Sequence, residues 1–177
     1  MSDKRRQFDH QIMPHLDAGY HLARSLLRDE FAAHDVLQNA SLQAFRFLHT
    51  FRGESAKPWF LSIVRNACMD HFRARKRESG FLDIDDEAVV NSLDDQLISM
   101  VTPESVALAH CSRAQIDRAI ASLPTAFREV IILREMEEMN YHDIAQITGV
   151  PLGTVMSRLS RARGILRATL AAMLQGE

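Results

Sequence analysis

Residues 141–163, YHDIAQITGVPLGTVMSRLSRAR, constrain the fold most tightly, because two helical patterns flank a tight turn. Ile144, Ala145 and Ile147 give the first helix an apolar face, and Gly149-Val150-Pro151 supplies the turn. At about 100° per residue, Val155, Leu159, Ala162 and Leu166 of the second helix fall in one narrow arc and face a core. Ser157, Ser160, Arg161 and Gly164 fall roughly opposite, with Arg158, Arg163 and Arg167 on the flanks. Small polar residues allow close approach to a major groove, a central arginine can pair with a guanine edge, and flanking arginines can reach phosphates. The same pattern also describes an amphipathic surface helix with solvated arginines. The concentration of small residues around Arg161 favours a DNA-reading helix-turn-helix.

Strict alternation of apolar and polar residues is absent, and 7 Gly and 5 Pro are few for 177 residues. Both point to an all-α protein, and 46% hydrophobic residues suffice for packed cores. No run approaches a membrane span, and MSDKRRQFDH lacks the apolar centre of a signal peptide. A soluble, cytoplasmic protein is expected. Cys68 and Cys111 form no C-x-x-C pair, and the 8 His are scattered without metal-ligand spacing. No phosphate-cradling loop, nucleophilic triad or carboxylate pair is present. The expectation is therefore a protein without metal, cofactor, small-molecule ligand or catalytic site: not an enzyme.

The net charge of -2 conceals an uneven distribution. Residues 1–77 hold 13 Lys/Arg against 8 Asp/Glu, whereas residues 78–112 hold 8 Asp/Glu and no Lys or Arg. Residues 113–177 hold 8 Lys/Arg against 7 Asp/Glu, with Arg158, Arg161, Arg163 and Arg167 near the end. This predicts two small helical modules, 8–77 and 113–177, joined by a flexible acidic linker at 78–112 whose role is reach.

In the first module a helix over about 15–28 precedes a break at Arg28-Asp29-Glu30. A second, over about 33–49, packs through Val36, Leu37, Ala40, Ala44, Phe47 and Leu48. Its other side collects Asp35, Gln38, Asn39, Leu42 and Arg46, which fits either a protein-docking surface or a solvated face. The loop Phe51–Ala56 leads to Pro58 in the first turn of a third helix. There Ser62, Arg65, Asn66, Met69 and Arg73 share one arc, and Arg73, Arg75, Lys76 and Arg77 crowd the end. Four cations in five residues exceed what the helix dipole needs, which favours contact with splayed single-stranded bases. Trp59 reads as a core anchor, or else as a stacking side chain beside the loop. In the second module a helix over about 105–121 and another over about 125–138 precede the helix-turn-helix.

Together these segments resemble the extracytoplasmic-function (ECF) group of bacterial sigma factors, the dissociable promoter-specificity subunits of RNA polymerase. DVLQNASLQAFRFL resembles the family's polymerase-docking helix, and FRGESAKPWFLSIVRNACMDHFRARKR its loop and helix for the -10 element. SLPTAFREVIILREMEEMNYHDIAQITGVPLGTVMSRLSRAR is similar to its module for the -35 element. Each segment alone is suggestive; three in order are specific. The resemblance implies core polymerase as partner, through the clamp of the β′ subunit and the β flap, together with promoter DNA and an anti-sigma factor. It puts polymerase contacts at Asp35, Gln38, Asn39 and Leu42. It puts -10 contacts at Arg52, Gly53, Glu54 and Ser55 of the loop and at Arg65, Asn66 and Arg73. It puts -35 contacts at Met156, Ser157, Arg158, Ser160, Arg161 and Arg163. Three departures stand out. Asn39 replaces a frequent acid, Met156 a frequent base, and Pro151 a frequent capping serine. With Glu177 as the last residue, subtypes carrying an accessory C-terminal domain are not expected.

Three other readings compete. A simple repressor or activator leaves 33–77 unexplained. A mimic that sequesters an anti-sigma factor would not need basic faces, and a nucleic-acid enzyme would need a catalytic constellation.

Overall fold

The computed structural model describes residues 3–79 and 111–175. Among the described residues eight α-helices lie in two groups: α1 (Asp3–Gln11), α2 (Leu16–Leu27), α3 (Glu30–Phe47) and α4 (Ala56–Ser79), then α5 (Arg113–Ser122), α6 (Thr125–Ile131), α7 (Tyr141–Thr148) and α8 (Leu152–Gln175). The described residues contain no strand. Residues 80–110, most of the acidic segment and the start of the helix expected at 105, lie outside them.

Short-range chemistry sets the helix boundaries. Arg28 takes a left-handed conformation (φ 57°) and donates its N–H to the Arg24 carbonyl, closing α2. Asp29 then accepts from the Ala32 N–H at 3.0 Å and starts α3, and this bond holds its carboxyl below the usual range. Ser112 and Gln115 form a reciprocal capping box on α5, and Asn140 accepts from the Asp143 N–H to start α7. Gly149, at φ 72°, makes the turn into α8, a conformation that costs other residues energy.

Several boundaries differ from the sequence reading. α1 lies ahead of the helix expected at 15; it buries no residue, so no apolar period announces it. It is held by Phe8, which meets Phe45 of α3 edge-on at 5.4 Å between ring centres, and by Lys4 above the Phe45 ring. The helix expected over 125–138 stops at Ile131 and widens into a π turn, Ile132–Met136, where the Glu137 N–H bonds to the Ile132 carbonyl. Phe47, expected in the core, is exposed because α3 ends there and a 3-10 turn carries Leu48 inward instead.

Close packing inside the first group centres on Gly19. A Cβ on Gly19 of α2 would stand 2.8 Å from Phe60 of α4 and 3.0 Å from Leu37 of α3, so the three helices meet where a side chain is missing. Trp59 packs against this core beside Phe51, ring centres 5.3 Å apart, in agreement with the anchor reading.

A single apolar cluster runs through both groups, from Leu22, Leu26, Leu61 and Val64 to Phe127, Ile131 and Leu133. α2 packs on α6, and α4 on α7. The sequence reading envisaged two modules apart on a tether; here they are packed face to face.

Candidate nucleic-acid and polymerase interfaces

Three surfaces carry the residues singled out in the sequence. On α8, Val155, Leu159 and Ala162 are buried, and Leu166 is half-buried. Met156, Ser157 and Ser160 are exposed, and Arg161 is half-buried beside them. Met156, Ser157, Ser160 and Arg161 thus share the outer side of α8, opposite its buried arc. Arg163 sits at its edge, where Glu135 holds it at 2.6 and 3.0 Å. Both partners are solvated, so a phosphate can displace this carboxylate at a cost of about 1 kcal/mol or less.

Two positions on α8 correct the sequence reading. Arg158 is buried and points towards Glu129 of α6, close enough to influence that carboxyl. Gly164 is buried as well. α5, α6 and α7 all pack on α8, covering more of its circumference than a two-helix motif would. Arg158 is therefore not placed for an outward phosphate contact.

The second surface is the loop ahead of α4 with the helix that follows. Arg52, Gly53, Glu54 and Ser55 are exposed, as are Asn66 and Arg73. Arg73 pairs with Asp70 one turn earlier, and Arg75, Lys76 and Arg77 continue the basic end. Arg65 departs from the group. Its Nε donates to Glu129 Oε1 at 2.7 Å, with the two side chains 22% and 2% exposed, so Arg65 faces α6 and not solvent.

The third surface is a groove of about 460 Å³ between α3 and α4, lined by Asp35, Asn39, Leu42, Arg46, Asp70 and His71 among others. Gln38 is exposed on the same helix outside the lining. Leu42 is 62% exposed, an apolar side chain standing in a polar surface. The stripe seen in the sequence is thus one wall of a concave feature.

Sequence reasoning missed the residues that join the two groups. Lys57 Nζ lies 3.1 Å from Glu137 Oε2 and donates to the Glu137 carbonyl at 2.9 Å, while His21 Nδ1 lies 3.4 Å from Glu137 Oε1. Arg128 donates to the carbonyls of Ser25 and Leu26 at the end of α2 and to that of Leu123. Partners 64 to 116 positions apart leave no local signal. Burial pushes the Glu129 carboxyl upward, against the pull of Arg65 and Arg158.

Comparison with known proteins decides the family. The family model of sigma-70 region 2 matches residues 12–78, and that of sigma-70 region 4 matches residues 113–166. The chain belongs to the sigma-70 family, in its ECF group. As an RNA polymerase sigma factor it directs promoter-specific transcription initiation. It is 32% identical over 173 residues to the RNA polymerase sigma-H factor of Pseudomonas aeruginosa, covering 97% of this sigma factor and 90% of that one. It is 37% identical over 131 residues to the ECF RNA polymerase sigma-E factor of Escherichia coli K12, covering 73% and 69%. Among solved structures it is similar to the sigma factor RpoE of Bartonella quintana in complex with the anti-sigma factor NepR. That match has a TM-score of 0.71 and 27% identity, over 93% of this chain and 96% of that one. In this sigma factor α2–α4 carry region 2, with α1 ahead of the match, and α5–α8 carry region 4, whose match ends within α8. No helix among the described residues is long and apolar enough to cross a membrane.

Proposed function

We propose that the three surfaces divide the work of initiation. The α8 face of Met156, Ser157, Ser160 and Arg161, with Arg163 at its edge, reads the -35 element in the major groove. The exposed loop Arg52–Ser55, with Asn66 and Arg73, holds unpaired bases of the -10 element. The wall Asp35, Gln38, Asn39 and Leu42 docks on the clamp of the β′ subunit. The observation that carries this division is that each set lies at the surface on its own elements, exposed except for the half-buried Arg161 and Arg163.

The chemistry fits each task. A half-buried arginine among serines is held steady for a bidentate guanine contact. Asn66 and the cations after it suit a flipped base and its phosphates. An exposed leucine in a polar groove suits a protein partner, since an apolar anchor inside a polar rim is how such interfaces gain affinity. The protein works in the cytoplasm as a non-catalytic subunit, with region 4 also meeting the β flap. The neighbouring NepR complex supports an anti-sigma factor as a further partner.

Site-specific photo-crosslinking in the polymerase holoenzyme on a promoter tests the division. A crosslinker at Ser160 should label DNA near -35, one at Ser55 the unpaired strand near -10, and one at Gln38 the β′ subunit. Label from Gln38 in DNA, or from Ser160 in polymerase alone, would overturn it.

A further inference from the structure

Met156 stands on the outer side of α8 and is 52% exposed. Among the described residues of α8 it is the only large apolar side chain left exposed; Leu152, Ile165, Leu166, Met173 and Leu174 are half-buried. Its surroundings suit a nucleic acid. At about 100° per residue, Gly153, Ser157 and Ser160 share its side of the helix, with Arg161 beside them. A Cβ on Gly153 would meet nothing within 4 Å, so packing inside the protein does not require a glycine there. Glycine costs a helix stability that alanine would not, and its missing side chain fits close approach by a partner from outside. The Ser157 hydroxyl donates to the Thr154 carbonyl at 3.1 Å, so its hydrogen is engaged within the helix and its oxygen remains as an acceptor.

We infer that Met156 is a specificity-determining residue that reads the C5 methyl of a thymine in the -35 element. The inference rests on the proposed α8 reading face and adds to it a base pair, A·T, with the thymine against Met156. In the major groove thymine carries that methyl beside a carbonyl acceptor, whereas cytosine carries an amino donor and no methyl. The flexible, polarisable thioether chain covers the methyl and excludes water from it. To the cytosine amino group it offers only a weak sulfur acceptor. Ser157 completes the match, because its acceptor oxygen suits the N6 amino group of the paired adenine. A helix rises ~1.5 Å per residue, so Met156 and Arg161 stand about 7.5 Å apart along α8. At ~3.4 Å per base pair, this places the thymine roughly two base pairs from the guanine assigned to Arg161.

The test uses holoenzyme assembled from the full chain and core polymerase, on a promoter selected from a randomised library. Each thymine of the upstream element is replaced in turn by deoxyuridine, which removes the methyl and leaves base pairing intact. At one thymine wild type should lose about fourfold in affinity, the size expected for one buried methyl. Met156→Ala should bind thymine and uracil there equally, and Met156→Leu should keep most of the difference. With wild type, 5-methylcytosine at that position should bind better than cytosine, a preference that Met156→Ala removes. Met156 is exposed, so neither variant should shift the melting temperature. The inference is overturned if no uracil weakens binding, or if Met156→Ala keeps its sensitivity to the methyl. Arg161→Ala separates it from the reading on which it rests. If that variant relaxes a base pair while every uracil is tolerated, the inference fails and the face stands. If it leaves the upstream element unchanged and every uracil is tolerated, both fail.

Discussion

Arg128 of α6 donates to the Ser25 carbonyl at 2.9 Å and thereby caps a helix of the other region. The last carbonyls of α2 have no partner within their own helix, and the same guanidinium also takes the Leu123 carbonyl at 2.7 Å. Arg128 is 5% exposed, so its removal leaves several acceptors buried. Arg128→Ala should destabilise the folded chain by about 2–4 kcal/mol, read by urea unfolding. Arg128→Lys should recover less than half, because a point charge cannot serve diverging carbonyls as a planar fork can.

Gly19→Ala should also destabilise, although alanine is the better helix former. The new methyl would stand 2.8 Å from fully buried Phe60, and overpacking of this kind costs about 1–3 kcal/mol. An unfolding midpoint equal to or above that of wild type would show that α2 and α4 can move apart without cost.

Cys68 is fully buried, and burial first, then Glu129, pushes its thiol up to about 12, against the opposing pull of Arg65. The folded state thus holds this proton more tightly than the unfolded chain. Its contribution to stability is complete below the unfolded value near 9 and is lost as pH rises towards 12. Subtracting the stability of Cys68→Ala from that of wild type across pH 8 to 11, a range of about three units, should give a difference that falls with pH. A difference that rises would reverse the assignment.

Much of the fold was legible because the decisive signals are local. Asp29 and Gly149 punctuate the chain within a turn of the helices they bound, and the arc of Val155, Leu159 and Ala162 is fixed by helical period alone. The exposure of Met156, Ser157 and Ser160 follows from the same period. What was illegible is what α8 and α4 meet beyond their own motif. Arg158 and Arg65 look like outward cations by angle, yet both act on Glu129, Arg158 from within region 4 and Arg65 across the seam between regions. α1 was missed for the opposite reason: it folds on α3 through Phe8 and Lys4 without an apolar face of its own.

Within α8, base reading and charge should separate. Arg161→Ala should cost about 1–3 kcal/mol in -35 binding and relax preference at one base pair. Arg167→Ala, at an exposed position further along, should weaken all sequences alike and lower the salt slope by about one unit. Selection from a randomised promoter library distinguishes them; an unchanged upstream element with Arg161→Ala would contradict the face.

Within region 2, docking and melting should separate. Asp35→Arg with Gln38→Ala replaces exposed side chains, so polymerase affinity should fall while the melting temperature barely moves. Asn66→Ala should leave polymerase affinity alone and reduce permanganate reactivity of melted thymines, because a lost base contact no longer offsets unstacking. The reverse pattern would mean the two faces are exchanged.

The most direct test of the account is run-off transcription with purified core polymerase on fragments of the native genome. The protein with core enzyme should start transcripts at sites sharing two spaced elements, and neither component alone should do so. Transcripts of equal strength without core polymerase, or none with it on any fragment, would contradict it.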